Sequence, residues 1–240
     1  MSYLEDNGTF TFDGVNSADY GVWITGANTY SAPPRRFEEI TIPGKNGVLT
    51  LDQRSFEDIE HTYPAFISRN FPSNIEGIRN QLLSRSGKKV LTDSYHPDEF
   101  YLAKFMQGVD VEVGSRAIAG RFDLVFKRDP RRFLVSGNTA VTVSNGGSIT
   151  NPTLFASKPL IRVTGYGTLT VGSDVITIAQ NFAYVDIDSE IGDCYHGTDN
   201  ANASVSFQQN DFPELAPGAT GIAYSGHITK VEITPRWWRL

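Results

Sequence analysis

Four histidines, one cysteine and 27 acidic residues are the obvious candidates for acid–base, nucleophilic or metal chemistry in this 240-residue chain. His61, His96, His196 and His227 stand too far apart in sequence for a paired metal site on one helix, and no His-Glu-x-x-His occurs. Each is expected to be structural or merely exposed. Gly165-Tyr166-Gly167 opens like a dinucleotide fingerprint, but the third glycine and a following helix are missing. There is no Walker loop and no Gly-x-Ser-x-Gly elbow. Cys194 has no histidine neighbour and reads as a small hydrophobe near a strand end. A single cysteine also excludes an intramolecular disulfide framework and a Cys-rich zinc site. The sequence therefore assigns no catalytic, cofactor-binding or metal-binding residue.

The run Asp186-Ile187-Asp188-Ser189-Glu190-Ile191-Gly192-Asp193 gathers carboxylates as a calcium loop would. Ile191 stands where that loop requires glycine. The simpler reading is a strand with Val185 and Ile187 inward and Asp186 and Asp188 outward, entering a turn. Carboxylate pairs for glycoside hydrolysis could be drawn from Asp186, Asp188, Glu190, Asp193, Asp199, Asp211 and Glu214, but any chain this acidic offers such pairs. A carbohydrate-binding face would instead use exposed, coplanar aromatics, with Tyr166, Phe182, Tyr184, Tyr195 and Tyr224 as candidates.

The C-terminus Pro235-Arg236-Trp237-Trp238-Arg239-Leu240 places two of the three tryptophans side by side. Neighbours on a strand face opposite sides, so one ring can fill a core while the other meets a partner. Arg and Trp are enriched where interfaces carry their energy. The alternative is that both rings close this chain's own core.

The elements that must position these residues are mostly strands. Val, Ile, Thr, Phe and Tyr dominate over helix formers. Strands are expected around Phe10–Phe12, Val22–Ile24, Ile40–Ile42, Val48–Leu51, Ile59–Tyr63, Lys89–Leu91, Phe100–Phe105, Val109–Val113 and Gly120–Lys127. Pro43-Gly44-Lys45-Asn46-Gly47 reads as a hairpin turn, because Asn-Gly readily adopts positive φ. One segment departs from the pattern. Ile75, Ile78, Leu82 and Leu83 share a helical face, which predicts a helix over about 74–86, capped by Ser73 or Asn74 and followed by Gly87. Residues 136–151 turn rich in Ser, Gly, Asn and Thr, with Val141 and Val143 as a short strand. Beyond them come short strands at Leu160–Thr164, Gly167–Val171, Val175–Ile178, Tyr184–Ile187, Ser204–Phe207, Gly221–Tyr224 and Lys230–Thr234, spaced as in a β-sandwich. Two domains are expected, 1–135 and 136–240, with the boundary near 133–150.

Lys and Arg total 21 against 27 acids, a net charge of −6. Phosphate binding needs the opposite surplus, so no specific nucleic-acid binding is expected. No apolar run approaches the ~20 residues of a transmembrane helix, and Met1–Asn7 is acidic and polar. A soluble protein made in the cytoplasm, with no membrane insertion, is the expectation.

Several motifs in order resemble the distal tail protein (Dit) family of siphophages. Phe10-Thr11-Phe12-Asp13-Gly14-Val15 with Asp19-Tyr20-Gly21-Val22 is similar to the family's opening signature. Ile42-Pro43-Gly44-Lys45-Asn46-Gly47-Val48-Leu49 resembles its Pro-Gly-Arg-Asn-Gly turn, with Lys45 in place of the commoner Arg. Lys89–Asp93 followed by Pro97-Asp98-Glu99-Phe100-Tyr101, then Gly120–Phe126 with Asp129-Pro130, resemble the rest of its first domain. Asn151-Pro152-Thr153, Lys158–Gly165, Phe212-Pro213-Glu214-Leu215-Ala216-Pro217-Gly218 and Pro235-Arg236-Trp237 resemble motifs of the second.

The resemblance implies a mainly β protein. Its N-terminal ring-forming domain would carry one helix and an extended hairpin arm, and its C-terminal domain would be a galectin-like β-sandwich. It implies a structural, non-enzymatic virion protein, assembled in the host cytoplasm. Such a protein forms a hexameric hub that joins the tail tube to the tail-tip proteins. The implied partners are further copies of the chain, the major tail tube protein, the tail-associated fibre or lysin protein and receptor-binding proteins. DNA would pass through the ring, and a wall poor in basic charge suits passage without sticking. The expected interface residues are Pro43, Gly44, Lys45, Asn46 and Gly47 of the turn, Phe100 and Tyr101 of the Tyr95–Phe105 stretch, and Arg236, Trp237 and Trp238. The competing readings are a carbohydrate-binding module in the second domain or, less favoured, a glycosidase.

Overall fold

The computed structural model describes residues 7–25, 32–67, 71–106, 112–113 and 120–240. The chain divides into two compact units, one over Met1–Arg132 with Leu240 and one over Phe133–Arg239.

The first unit contains β1 (Phe10–Phe12), β2 (Val15–Asn16), β3 (Val22–Ile24), β4 (Arg35–Thr41), β5 (Val48–Phe56), β6 (Ile59–Ile67), α1 (Phe71–Leu83), β7 (Lys89–Asp93), β8 (Glu99–Phe105), β9 (Glu112–Val113) and β10 (Gly120–Arg128). Its main sheet runs β2-β1-β7-β8-β10-β6-β3, with β9 beside β10. Gly8, just ahead of β1, bridges Ile24 of β3, so the two ends of that order meet. Strict alternation explains the inner face. Along β6 every second residue from Ile59 to Ile67 is buried, and along β10 Phe122, Leu124 and Phe126 are. Ile75, Ile78 and Leu82 of α1 pack into the same core beside Phe10, Phe12 and Tyr63.

The helix lies a few residues earlier than the sequence predicts. Ser73 and Asn74 are inside its first turn rather than at its cap, and Pro72 takes the early position where a missing N–H costs least. Gly87 does adopt the left-handed conformation, at φ 74°. The expected strand at Val109–Val113 is described only at β9, and its first residues lie outside the described part of the chain.

The second unit opens with β11 (Arg132–Leu134) and continues through β12 (Val141–Thr142), β13 (Gly147–Asn151), β14 (Leu160–Thr164), β15 (Gly167–Val171), β16 (Asp174–Ile178), β17 (Tyr184–Asp188), β18 (Asp193–His196), β19 (Asp199–Asn200), β20 (Val205–Phe207), β21 (Gly218–Gly226), β22 (Lys230–Thr234) and β23 (Trp238–Arg239), which pairs with β11. Two antiparallel sheets form it, β12-β22-β14-β17-β18-β19 and β13-β21-β15-β16-β20. Ile161, Val185, Val231 and Ile233 of the first meet Leu169, Ile176, Ile178 and Ile222 of the second in one core. The polar stretch 136–151 is more ordered than its composition suggests. β13 pairs with β21 from Gly147 to Asn151, because Ile149 and Asn151 point inward while Ser148 and Thr150 face solvent.

Candidate functional site

The β4–β5 hairpin pairs with none of the three other sheets and is a two-stranded pair of its own. Every described residue from Arg35 to Asp52 is exposed. Cross-strand partners share a face, so the register Ile40↔Leu49 and Glu38↔Leu51 gathers Ile40, Leu49 and Leu51 on one side. Phe37, 54% exposed, and Val48, 47% exposed, lie on the other among Glu39, Thr41, Thr50 and Asp52. The turn is shaped by Gly44 at φ 79° and Gly47 at φ 82°, and the Lys45 N–H donates to the Ile42 carbonyl at 3.1 Å. At the base the Arg35 guanidinium grips both oxygens of Asp52, at 3.1 and 3.0 Å, and lies 5.6 Å from the Phe56 ring centroid. A free two-stranded hairpin is marginal in water, and open strand edges with apolar side chains invite another chain. This places the expected interface residues Pro43, Gly44, Lys45, Asn46 and Gly47 at the tip of the most exposed apolar element described.

Tyr101 departs from that expectation by its burial. Phe100 is half-buried, and Tyr101 is 1% exposed in the core of the first unit, where the Arg128 guanidinium sits 4.5 Å from its ring centroid. The alternation of β8 turns Glu99, Tyr101 and Ala103 inward. They belong to a buried polar cluster that sequence spacing does not reveal, because its members come from five strands and the turn at His96. The Tyr63 hydroxyl donates to Asp93 at 2.7 Å, and His96 Nδ1 lies 3.0 Å from the other carboxylate oxygen. Arg132 forks onto Glu99 at 2.8 and 3.0 Å. The His61 ring meets Tyr63 edge-on at 4.3 Å. Burial, with Arg128 adding to it, lowers the His61 pKa to about 4, so the ring is neutral near pH 7. Burial and Asp93 push the Tyr63 phenol well up. The cluster is enclosed, and its geometry is that of internal bracing.

The acidic run of the second unit also departs from expectation in one respect. Val185 and Ile187 face the core, but Asp186 and Asp188 are nearly buried as well, at 3% and 4% exposure. Arg162 covers Asp186 with two bonds of 2.7 Å, and Arg236 covers Asp188 at 2.6 and 2.9 Å. Arg236 holds the Asp188 carboxyl below the usual range against the opposing effect of burial. Both carboxylates are thus committed to arginine, and no group of three His, Cys, Asp or Glu side chains among the described residues could hold a metal ion. Cys194 is fully buried on β18 as the small-hydrophobe reading expects, with its thiol pushed up to about 12 by burial.

Both terminal tryptophans serve their own unit. Trp237 is 5% exposed within the sandwich core. Trp238 is half-buried, stacks on Phe155 at 4.4 Å and donates its indole N–H to the Ala156 carbonyl at 2.9 Å. Gly137 explains the fit, since a Cβ there would meet the Trp237 backbone nitrogen at 2.3 Å. Among the carbohydrate candidates, Tyr184 carries Arg162 at 4.5 Å and His196 at 4.2 Å, while Phe182 and Tyr224 pack on the core. Tyr166 rests against His227 at 4.5 Å, and Tyr195 lies across from Asp186. Asp186 and Asp188 are thus engaged by arginine, and Phe182, Tyr184 and Tyr224 pack against neighbouring side chains.

No protein-family model matches the sequence, and no curated protein does. Solved structures do match. The crystal structure of the Dit protein of phage SPP1, described as a paradigm of the hub adsorption apparatus in phages infecting Gram-positive bacteria, is 17% identical. The match covers 97% of this chain and 99% of that one, with a TM-score of 0.72. A chain of the phage P2 baseplate in its activated conformation with Ca is 10% identical over 95% of this chain and 97% of that one, with a TM-score of 0.47. A β-rich unit with one helix, followed by a two-sheet sandwich, is therefore the fold that this chain shares along its length with the phage SPP1 Dit protein.

Proposed function

We propose that the chain is a structural virion protein, a hexameric hub at the distal end of a siphophage tail that joins the tail tube to the tail-tip and host-adsorption proteins. The observation that carries this reading is the end-to-end fold match to SPP1 Dit, across both units and with almost nothing left over on either chain. In this reading residues 1–135 are the ring-forming domain and 136–240 a C-terminal β-sandwich domain. The β4–β5 hairpin supports the same reading, since its apolar side chains have no cover within the described chain. Ring closure needs a heterologous contact, in which one surface of a subunit meets a different surface of the next, and an arm supplies that asymmetry. The protein acts through interfaces rather than catalysis. Its partners are other copies of itself, the tail tube protein, the tail-associated fibre or lysin protein and the receptor-binding proteins.

Light scattering on the purified chain and negative-stain micrographs, each with and without the tail tube protein, test the proposal. Ring-shaped particles of hexamer size in either preparation are the expected result. A monomer in both preparations overturns it. The arginine-covered Asp186 and Asp188 lend no support to the glycosidase reading, and the packing of Phe182 and Tyr224 on the core lends none to the carbohydrate-binding one.

A further inference from the structure

Three Asn–Gly pairs occur in the sequence, at Asn7–Gly8, Asn46–Gly47 and Asn145–Gly146. Such a pair can rearrange without any enzyme when the glycine nitrogen is free to reach the asparagine side chain. Two of the three are held against it. The Gly8 N–H donates to the Ile24 carbonyl at 2.9 Å and to the Tyr95 hydroxyl at 3.0 Å. The Gly146 N–H donates to the Ile222 carbonyl at 2.9 Å, and the Asn145 side-chain oxygen accepts from the Tyr224 N–H at 2.8 Å. Asn46–Gly47 is different. Neither the Asn46 side chain nor the Gly47 N–H makes a hydrogen bond with any described residue. Gly47 has φ 82°, and open space lies where a Cβ would stand. Exposure alone does not separate the pairs, because Asn145 is as exposed as Asn46. Bonding of the reacting groups does.

We propose that Asn46 is a spontaneous deamidation site at the tip of the β4–β5 arm. The Gly47 nitrogen gives its proton to hydroxide and attacks Asn46 Cγ. A new N–Cγ bond forms, the bond from Cγ to the side-chain nitrogen breaks, and that nitrogen leaves as ammonia after taking a proton from water. Water then opens the cyclic imide at either carbonyl, leaving aspartate or isoaspartate. Each product adds a negative charge beside Lys45. Isoaspartate also lengthens the backbone between the turn that the Lys45 N–H closes onto Ile42 and the start of β5. The chemistry needs the exposed turn of the single chain, so it is read on the single-chain fraction, separated by size from any rings, and its failure there is distinct from failure of the hub reading.

The test is to age the purified full-length chain at mildly alkaline pH, native and in urea, and to follow all three sites by peptide mapping with mass spectrometry. The urea sample sets the intrinsic rate of each pair. In the native sample Asn46 is expected to convert on the order of tenfold faster than Asn7 or Asn145, because no hydrogen bond has to open first. The Asn46→Gln variant should lose the fast phase and leave the other two rates unchanged. Native conversion at Asn46 no faster than at Asn145, or an intact Asn46 over a period in which the urea sample converts, overturns the proposal.

Discussion

Two antiparallel pairs in this chain have similar lengths and opposite fates. β14 and β17 pair from Leu160↔Asp188 to Thr164↔Tyr184, and β4 and β5 pair from Phe37↔Asp52 to Thr41↔Val48. β14 and β17 alternate apolar and polar residues, whereas β4 and β5 carry apolar residues on both faces. In the sandwich Ile161, Val163, Val185 and Ile187 are completely buried, and even the opposite face is closed by arginine over Asp186 and Asp188. In the arm Ile40, Leu49 and Leu51 remain 38–43% exposed. The same strand-forming residue types thus build a core in one place and stay exposed in the other. Backbone pairing fixes the ladder, but only a second layer turns apolar side chains into stability.

That contrast can be broken at its strong end first. Ile161→Ala removes a fully buried side chain from the sandwich and should cost about 2–5 kcal/mol in denaturant unfolding. The pH dependence of the first unit comes next. The folded-state pKa of His61, about 4, lies below its ordinary value of 6.5, so the unfolded chain binds the extra proton between those values. Stability should therefore rise with pH from about 4 to 6.5, by roughly 3 kcal/mol in total, and His61→Gln should flatten that rise. Asp188 behaves differently. Its folded pKa is depressed below 3.8, so its contribution is present above that pH and is lost only as pH falls further. Asp188→Ala strands the partly exposed Arg236 and should cost about 2 kcal/mol near neutral pH, read from the shift of the unfolding midpoint. The arm should give the smallest effect on the single chain. Ile40→Lys with Leu49→Lys should change unfolding by no more than about 0.5 kcal/mol, yet abolish higher-order particles in light scattering. Loss of several kcal/mol in that double variant would show that the arm is covered within the chain.

Much of the architecture was legible because local signals agreed. Alternation placed most strands, the Ile75, Ile78 and Leu82 spacing placed the helix face, and the glycines around Asn46 placed the hairpin turn. The start of the helix was misplaced because Ser73 and Asn74 resemble caps, while Pro72 begins the helix earlier. β13 escaped notice because Ser, Thr and Asn mask the two inward positions, Ile149 and Asn151. The outward placement of Asp186 and Asp188 and the interface expectation for Tyr101 meet buried side chains for a shared reason. Each is covered by an arginine from another segment, Arg128, Arg162 or Arg236, and no local pattern announces a partner 24 to 48 residues away.

By itself the sequence determined which residues could alternate, turn or coil, and that no standard catalytic motif is present. Those properties depend on neighbours within a few positions, where backbone geometry rules. Only the tertiary structure decided which alternating faces found a cover, which charges found a counter-charge, and which Asn–Gly pair kept its reacting groups free. Burial and hydrogen-bond partners are supplied by distant segments, so the exposure of the hairpin at Arg35–Phe56 and the burial of the strand at Tyr184–Asp188 are decided only in the fold.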